Sequence, residues 1–251
     1  PPSHEGGVFL MCKTNYSYNI GEPMAKIKGK MIKPFGPVIG KFSIPQYILD
    51  DLNDTCDLIS EDEKISEALD HSKRLVGKVR QELAIPNEVM SLHVGYFNNV
   101  VTTYLKELNK QPAVIENANS NGLNILKPGA KIDTHIKSAW FVRSFAGDYN
   151  PVHMHPDAVI SCAGFLKVPD WKEEQELDKK DHYGLTHGCL SFLFGDLSAL
   201  SSATYVVRPK VGDLYLFPGW LQHTVYPFRS KGERRSFSLN IIPQISNNSV
   251  G

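Results

Sequence analysis

The sequence predicts a mainly β fold, short strands rolled into a sandwich or barrel with helices packed along it. Two observations lead there. From about residue 124 onward, short apolar runs alternate with turn residues, the pattern of many brief strands closing on themselves. Helical periodicity is confined to the stretch before that. A chain of 251 residues is long enough for one domain with a large core.

Residues 8–45 read as strands and turns, with Val8-Phe9-Leu10-Met11 apolar and residues 34–40 rich in Pro and Gly. The opening segment Pro1-Pro2-Ser3-His4-Glu5-Gly6-Gly7 is set aside from the fold reading. Ile48, Leu49, Leu52, Cys56 and Ile59 then fall on one helical stripe. Ser60-Glu61-Asp62-Glu63 reads as a cap with an acidic first turn. A second helical pattern runs through Ile65, Leu69, Leu75, Val76, Val79 and Leu83, and ends before Pro86. A third carries Phe97, Val100, Val101, Tyr104, Leu105 and Leu108. These stripes are expected to pack on the outside of a sheet.

The strand pattern includes residues 137–145, 159–168, 189–194, 203–207, 213–217 and 234–242. Residues 169–187 are charged and read as a long loop, a lid or binding element, with His182 and His187 at its surface. Cys162 and Cys189 fall in strand patterns, as small core residues, and the four cysteines show no disulfide spacing. Lys+Arg 27 balances Asp+Glu 27, which argues against a nucleic-acid partner. With no apolar run long enough for a bilayer, a cytoplasmic protein is expected.

The chemistry gathers in Asn150-Pro151-Val152-His153-Met154-His155-Pro156-Asp157. In an extended chain, alternate side chains share a face, so His153, His155 and Asp157 can converge. His223 follows a buried strand broken by Pro218-Gly219. Two near ligands and one distant ligand make an open metal site. Downstream, alternation puts Arg234, Ser236, Ser238 and Asn240 on one face, with Arg235, Phe237 and Leu239 on the other. A buried arginine needs an anion, and a dicarboxylate would match its two parallel donors, with Ser236 adding another. Arg235 reads as a solvated outer-face charge, and Trp220 as packed against the roll.

These residues resemble the Fe(II)- and 2-oxoglutarate-dependent dioxygenases, in particular a branch found in marine phages and bacteria. The resemblance rests on His153-Met154-His155-Pro156, the strand from Ser161 to Pro169, Phe217 to His223, and Glu233 to Asn240. It covers roughly residues 137–243. In such enzymes the 2-oxoglutarate arginine lies about ten residues beyond the distal histidine. Here Arg234 follows His223 by 11 residues. The resemblance implies a double-stranded β-helix, a jelly-roll or cupin-like barrel. It spans a single domain, 1–251, with N-terminal strands and packing helices over 8–123 and the site-bearing roll over 124–243.

It also implies Fe(II), 2-oxoglutarate and O2 as cofactor and cosubstrates, and hydroxylation of an amino-acid, peptide or small-metabolite substrate with release of succinate and CO2. His153, His155 and His223 would be the ligands, Arg234 and Ser236 the 2-oxoglutarate residues, and Ser238 and Asn240 part of its pocket. Much of the superfamily uses His-x-Asp, so Asp157 stands as an outer residue or as an alternative ligand beside His155. For a phage protein the compartment would be the host cytoplasm. Oligomeric state is not readable. A cupin-type metalloprotein competes, since Gly147 precedes His153-x-His155 at cupin spacing. The glutamate that pattern needs would fall at Val159 or Ile160, and neither can ligate a metal. The remaining alternative is a non-catalytic jelly-roll binding module.

Overall fold

The computed structural model describes residues 29–32, 36–72, 77–111, 114–116, 132–180, 186–196, 198–199 and 201–245. The strand reading at 8–11 and His182 lie outside these residues. The larger sheet contains β1 (Gly29–Ile32), β2 (Ile39–Ser43), β3 (Gln81–Ala84), β4 (Ile132–Ser144), β6 (Ile160–Lys167), β9 (Asp213–Pro218) and β11 (Arg234–Ile245). The smaller contains β5 (Asn150–His153), β7 (Leu190–Leu193), β8 (Thr204–Val207) and β10 (Gln222–Val225). The spatial orders are β1-β2-β9-β6-β11-β4-β3 and β5-β10-β7-β8. From β4 to β11 the chain passes back and forth between the two sheets, every pairing antiparallel. That winding is a double-stranded β-helix.

Alternation along β11 explains how one strand serves two environments. Phe237 and Leu239 are fully buried on the side of the helices. There they meet the apolar stripes of α1 (Gln46–Glu61) and α4 (Val94–Leu108) in one core. The Phe97 and Phe237 rings meet edge to face at 5.9 Å, a favoured aromatic geometry. Ser236, Ser238 and Asn240 point the other way, into the roll. Gly164 of β6 lies opposite Phe237. A Cβ there would come within 2.3 Å of the Phe237 ring, so the strand pair closes only around a glycine.

Helices α1 and α4 form as the periodicity predicts, but the pattern over 65–83 does not become one helix. Asp62 caps α2 (Glu63–Ala68), its carboxylate accepting from the Lys64 and Ile65 N–H groups. The chain then reaches β3, where Leu83 pairs with Phe141 at the sheet edge. Cross-strand pairing and burial of Leu83 override the helical spacing. Helix α3 (Asn87–Leu92) leads into α4.

Residues 169–187 also depart from the loop reading, because they contain α5 (Trp171–Asp178). Asp170 caps it by accepting from the Lys172 and Glu173 N–H groups. Glu174 is fully buried and accepts from the backbone N–H groups of Arg229 and Ser230, both at 2.7 Å. A charged helix is thus pinned by its carboxylates to the segment before β11. Trp220 is 51% exposed beside Phe194, not packed against the roll. Arg235, expected in solvent, is fully buried. It donates to Asp57 and Asn53 of α1 and to Glu233. Cys56, Cys162 and Cys189 are buried free thiols. Among the described residues no helix is long and apolar enough to cross a membrane.

Candidate metal and cosubstrate site

His153 ends β5 and stands directly across from His223 of β10. Their ring centroids are 4.2 Å apart. His155 lies just past β5, its N–H bonded to the Gly219 carbonyl at 2.8 Å. A Cβ on Gly219 would come within 2.2 Å of the Ala158 carbonyl oxygen. Glycine there lets the β9–β10 turn press the histidine segment into place. The His155 ring is 5.3 Å from His153 and 5.1 Å from His223. One ligand atom from each of the three lies within 4.8 Å of the others.

Hydrogen bonding sets the tautomers. The His153 Nδ1 lies 2.7 Å from the Pro151 carbonyl, and the His223 Nδ1 lies 2.9 Å from the Leu221 carbonyl. A carbonyl oxygen only accepts, so both Nδ1 atoms carry the proton. The His155 Nδ1 lies 2.7 Å from the Asn240 Oδ1, which also accepts from the Ser161 hydroxyl at 2.9 Å. All three Nε2 atoms are left with a free lone pair, the form that binds a metal. Burial also disfavours the imidazolium. It lowers His155 to about 4 and His223 to about 3, and it lowers His153 as well. The donor set of three neutral imidazoles fits a divalent transition metal.

Strand β5 stops at His153, and a turn carries the chain away. The extended geometry that would align Asp157 is therefore lost. Asp157 has a 70% exposed side chain, lies 3.4 Å from Lys137 Nζ, and does not join the three histidines. Trp140 of β4 stacks on His155 at 5.5 Å and 17°. It also stacks on His71 at 5.5 Å.

The histidines line a cavity of about 450 Å³ that also receives Arg234, Ser236, Ser238 and Asn240. Arg234 is 3% exposed. Its Nη1 donates to the Gly188 and Tyr226 carbonyls at 3.2 and 3.1 Å, and its guanidinium lies over the Phe228 ring. No carboxylate among the described residues lies within ion-pair distance of it. Burial pushes its pKa down to about 10, against the opposing pull of Asp148. A cation held in low dielectric by neutral groups alone is a receptor for an anion.

Residues 138–240 match a family described as "Putative 2OG-Fe(II) oxygenase". The matched stretch holds all three histidines and Arg234, but spans 103 of the 251 residues. No curated protein sequence matches it. Among solved structures it is similar to a prolyl-4-hydroxylase of Pseudomonas putida, at 15% identity over 81% of this chain and 91% of that one, TM-score 0.49. It is also similar to a prolyl hydroxylase of Trichoplax adhaerens in complex with a hypoxia-inducible-factor peptide fragment, at 13% identity over 85% and 83%, TM-score 0.47. The viral collagen prolyl hydroxylase of Paramecium bursaria Chlorella virus-1 matches at 15% identity over 81% and 94%, TM-score 0.41. The family's description names Fe(II) and 2-oxoglutarate, a metal and a diacid that the three neutral imidazoles and the buried Arg234 guanidinium fit.

The motif reading named His153, His155, His223, Arg234, Ser236, Ser238 and Asn240, all of which line this cavity. It did not foresee that Asn240 orients His155, or that Trp140 walls the site. Glu82, which also lines the cavity, was hidden inside the helical reading of 65–83. Alternation from Arg234 pointed to Asn240, but no local signal pointed to Glu82.

Proposed function

We propose that the protein hydroxylates a C–H bond of an amino-acid, peptide or small-metabolite substrate, with His153, His155 and His223 holding Fe(II) through Nε2 and Arg234 and Ser236 holding 2-oxoglutarate. The observation that carries this reading is the buried guanidinium of Arg234, without a carboxylate partner, opening into the same cavity as three neutral imidazoles. When bound, iron couples decarboxylation of 2-oxoglutarate to hydroxylation. One oxygen atom of O2 enters succinate, the other enters the product hydroxyl, and CO2 leaves.

The protein's own part is positional. Arg234 offers its free donors to the distal carboxylate, two parallel bonds in a water-poor pocket. Ser236, two residues along the same face, supplies a hydroxyl for that carboxylate, and Ser238 continues the wall. Asn240 holds His155 through its Nδ1 proton. The wall of Trp140 limits water beside His155. The described helices and sheet work as one domain in this reading, because they share a core.

The test is succinate formation from 2-oxoglutarate with Fe(II) and O2, comparing the wild type with His223→Ala and Arg234→Ala. Both variants are expected to lose it by at least a hundredfold, and Arg234→Ala to raise the 2-oxoglutarate requirement. Succinate output that survives both changes removes these residues from the mechanism.

A further inference from the structure

The cavity that receives the histidines and Arg234 also receives a carboxyl from the opposite charge class. Glu82 sits on β3, paired with Val142 of β4, which is in turn paired with Ser236 of β11. Two strand spacings, about 10 Å, therefore separate the β3 position from β11. Glu82 is 5% exposed and lines the cavity. Its side chain has no hydrogen-bond or ion-pair partner among the described residues. Buried carboxylates are ordinarily paired, and an unpaired one aimed into a substrate cavity calls for a cation.

The surroundings favour the same ligand. The groups facing Glu82 are Asp70 and His71 beside it in the chain path, and Val142 and Trp140 on β4. The guanidinium of Arg143, on the other face, is engaged by Glu233 and Gln81. Asp70 adds negative potential and, with burial, raises the Glu82 pKa to about 8. The Trp140 and His71 rings, stacked at 5.5 Å, form an aromatic wall in the same cavity. An unpaired buried carboxyl in a cavity walled by rings selects an organic cation by ion pairing in low dielectric.

We infer that Glu82 is the specificity-determining residue of this site, and that the substrate carries a basic side chain, an ammonium or guanidinium, bound by the Glu82 carboxylate. This rests on the oxygenase reading for what happens to the substrate, but not for its binding. Arg234 takes the dicarboxylate and Glu82 takes the cation, so the two ligands are sorted by charge within one cavity.

The experiment is calorimetric titration of the full chain with N-acetyl-L-lysine methylamide, N-acetyl-L-arginine methylamide and the neutral norleucine analogue. A peptide with a single Lys among neutral residues separates a free from a peptide-borne side chain. A cationic probe is expected to bind at least tenfold more tightly than norleucine. From a pKa of about 8, roughly 0.9 proton should leave at pH 7 on binding, read from buffers of different ionisation heat. Glu82→Gln, verified as folded by its thermal transition, should lose that preference and the proton release together. Equal binding of norleucine, no binding of either cation, or an unchanged Glu82→Gln titration would overturn the inference. Cation binding with no succinate from 2-oxoglutarate would overturn the oxygenase reading alone.

Discussion

Glu82 also makes a prediction about stability that is independent of any ligand. In the folded chain its pKa is raised from 4.5 to about 8, chiefly by burial and then by Asp70. Between these values the folded state holds a proton that the unfolded state has released. Folding then takes up a proton, so stability falls as pH rises through this window, by about 1.4 kcal/mol per pH unit from this residue. Accumulated to pH 8, the penalty is on the order of 4 kcal/mol. Glu82→Gln cannot ionise and lacks it. Urea titrations of both proteins at pH 5.5, 6.5 and 7.5, with chelator present, isolate the effect, since the histidines and other carboxylates are common to both. The variant should gain on the wild type by about 1 kcal/mol per unit. Parallel pH profiles would refute the argument and show that Glu82 is ionised or paired.

Other substitutions test the frame around the site. Arg235→Met leaves Asp57 and Glu233 without their buried partner, and should cost about 3 kcal/mol in a urea titration. Gly164→Ala presses a methyl group into the Phe237 ring. It should lower stability by about 1–3 kcal/mol and loosen the β6–β11 pairing in hydrogen exchange. Asn240→Ala removes the acceptor that orients His155. Metal affinity should weaken by roughly 10–100-fold with little change in the urea midpoint.

Much of the site was legible because its residues sit in short motifs whose strand alternation survives folding. Arg234, Ser236, Ser238 and Asn240 share a face because β11 is regular there. His153 and His223 were readable as residue types at strand ends, but their cross-strand opposition is a fact of register. The same alternation left Asp157 open as an outer residue or alternative ligand, and it stands apart because β5 ends at His153 and the chain turns. Arg235 shows the other limit. Its partners Asn53 and Asp57 lie about 180 positions away in the chain, so nothing local marks it as buried. The 65–83 stretch failed for a third reason: Leu83 carries a helical spacing, but edge pairing with Phe141 decides its state. The large fold class was clear from the alternation of apolar runs and turns. The order of strands in the two sheets was not, because it depends on which distant runs pair.

In the proposed function, three imidazoles and one guanidinium define a single metal and diacid site. Diffraction at the iron edge from crystals grown anaerobically with Fe(II) and 2-oxoglutarate tests it most directly. One anomalous peak is expected at bonding distance from the Nε2 atoms of His153, His155 and His223, with a 2-oxoglutarate carboxylate on the Arg234 guanidinium. Iron bound at Asp157, or at the separate Glu174, Asp178 and His187 group, or a diacid that leaves Arg234 untouched, would contradict it.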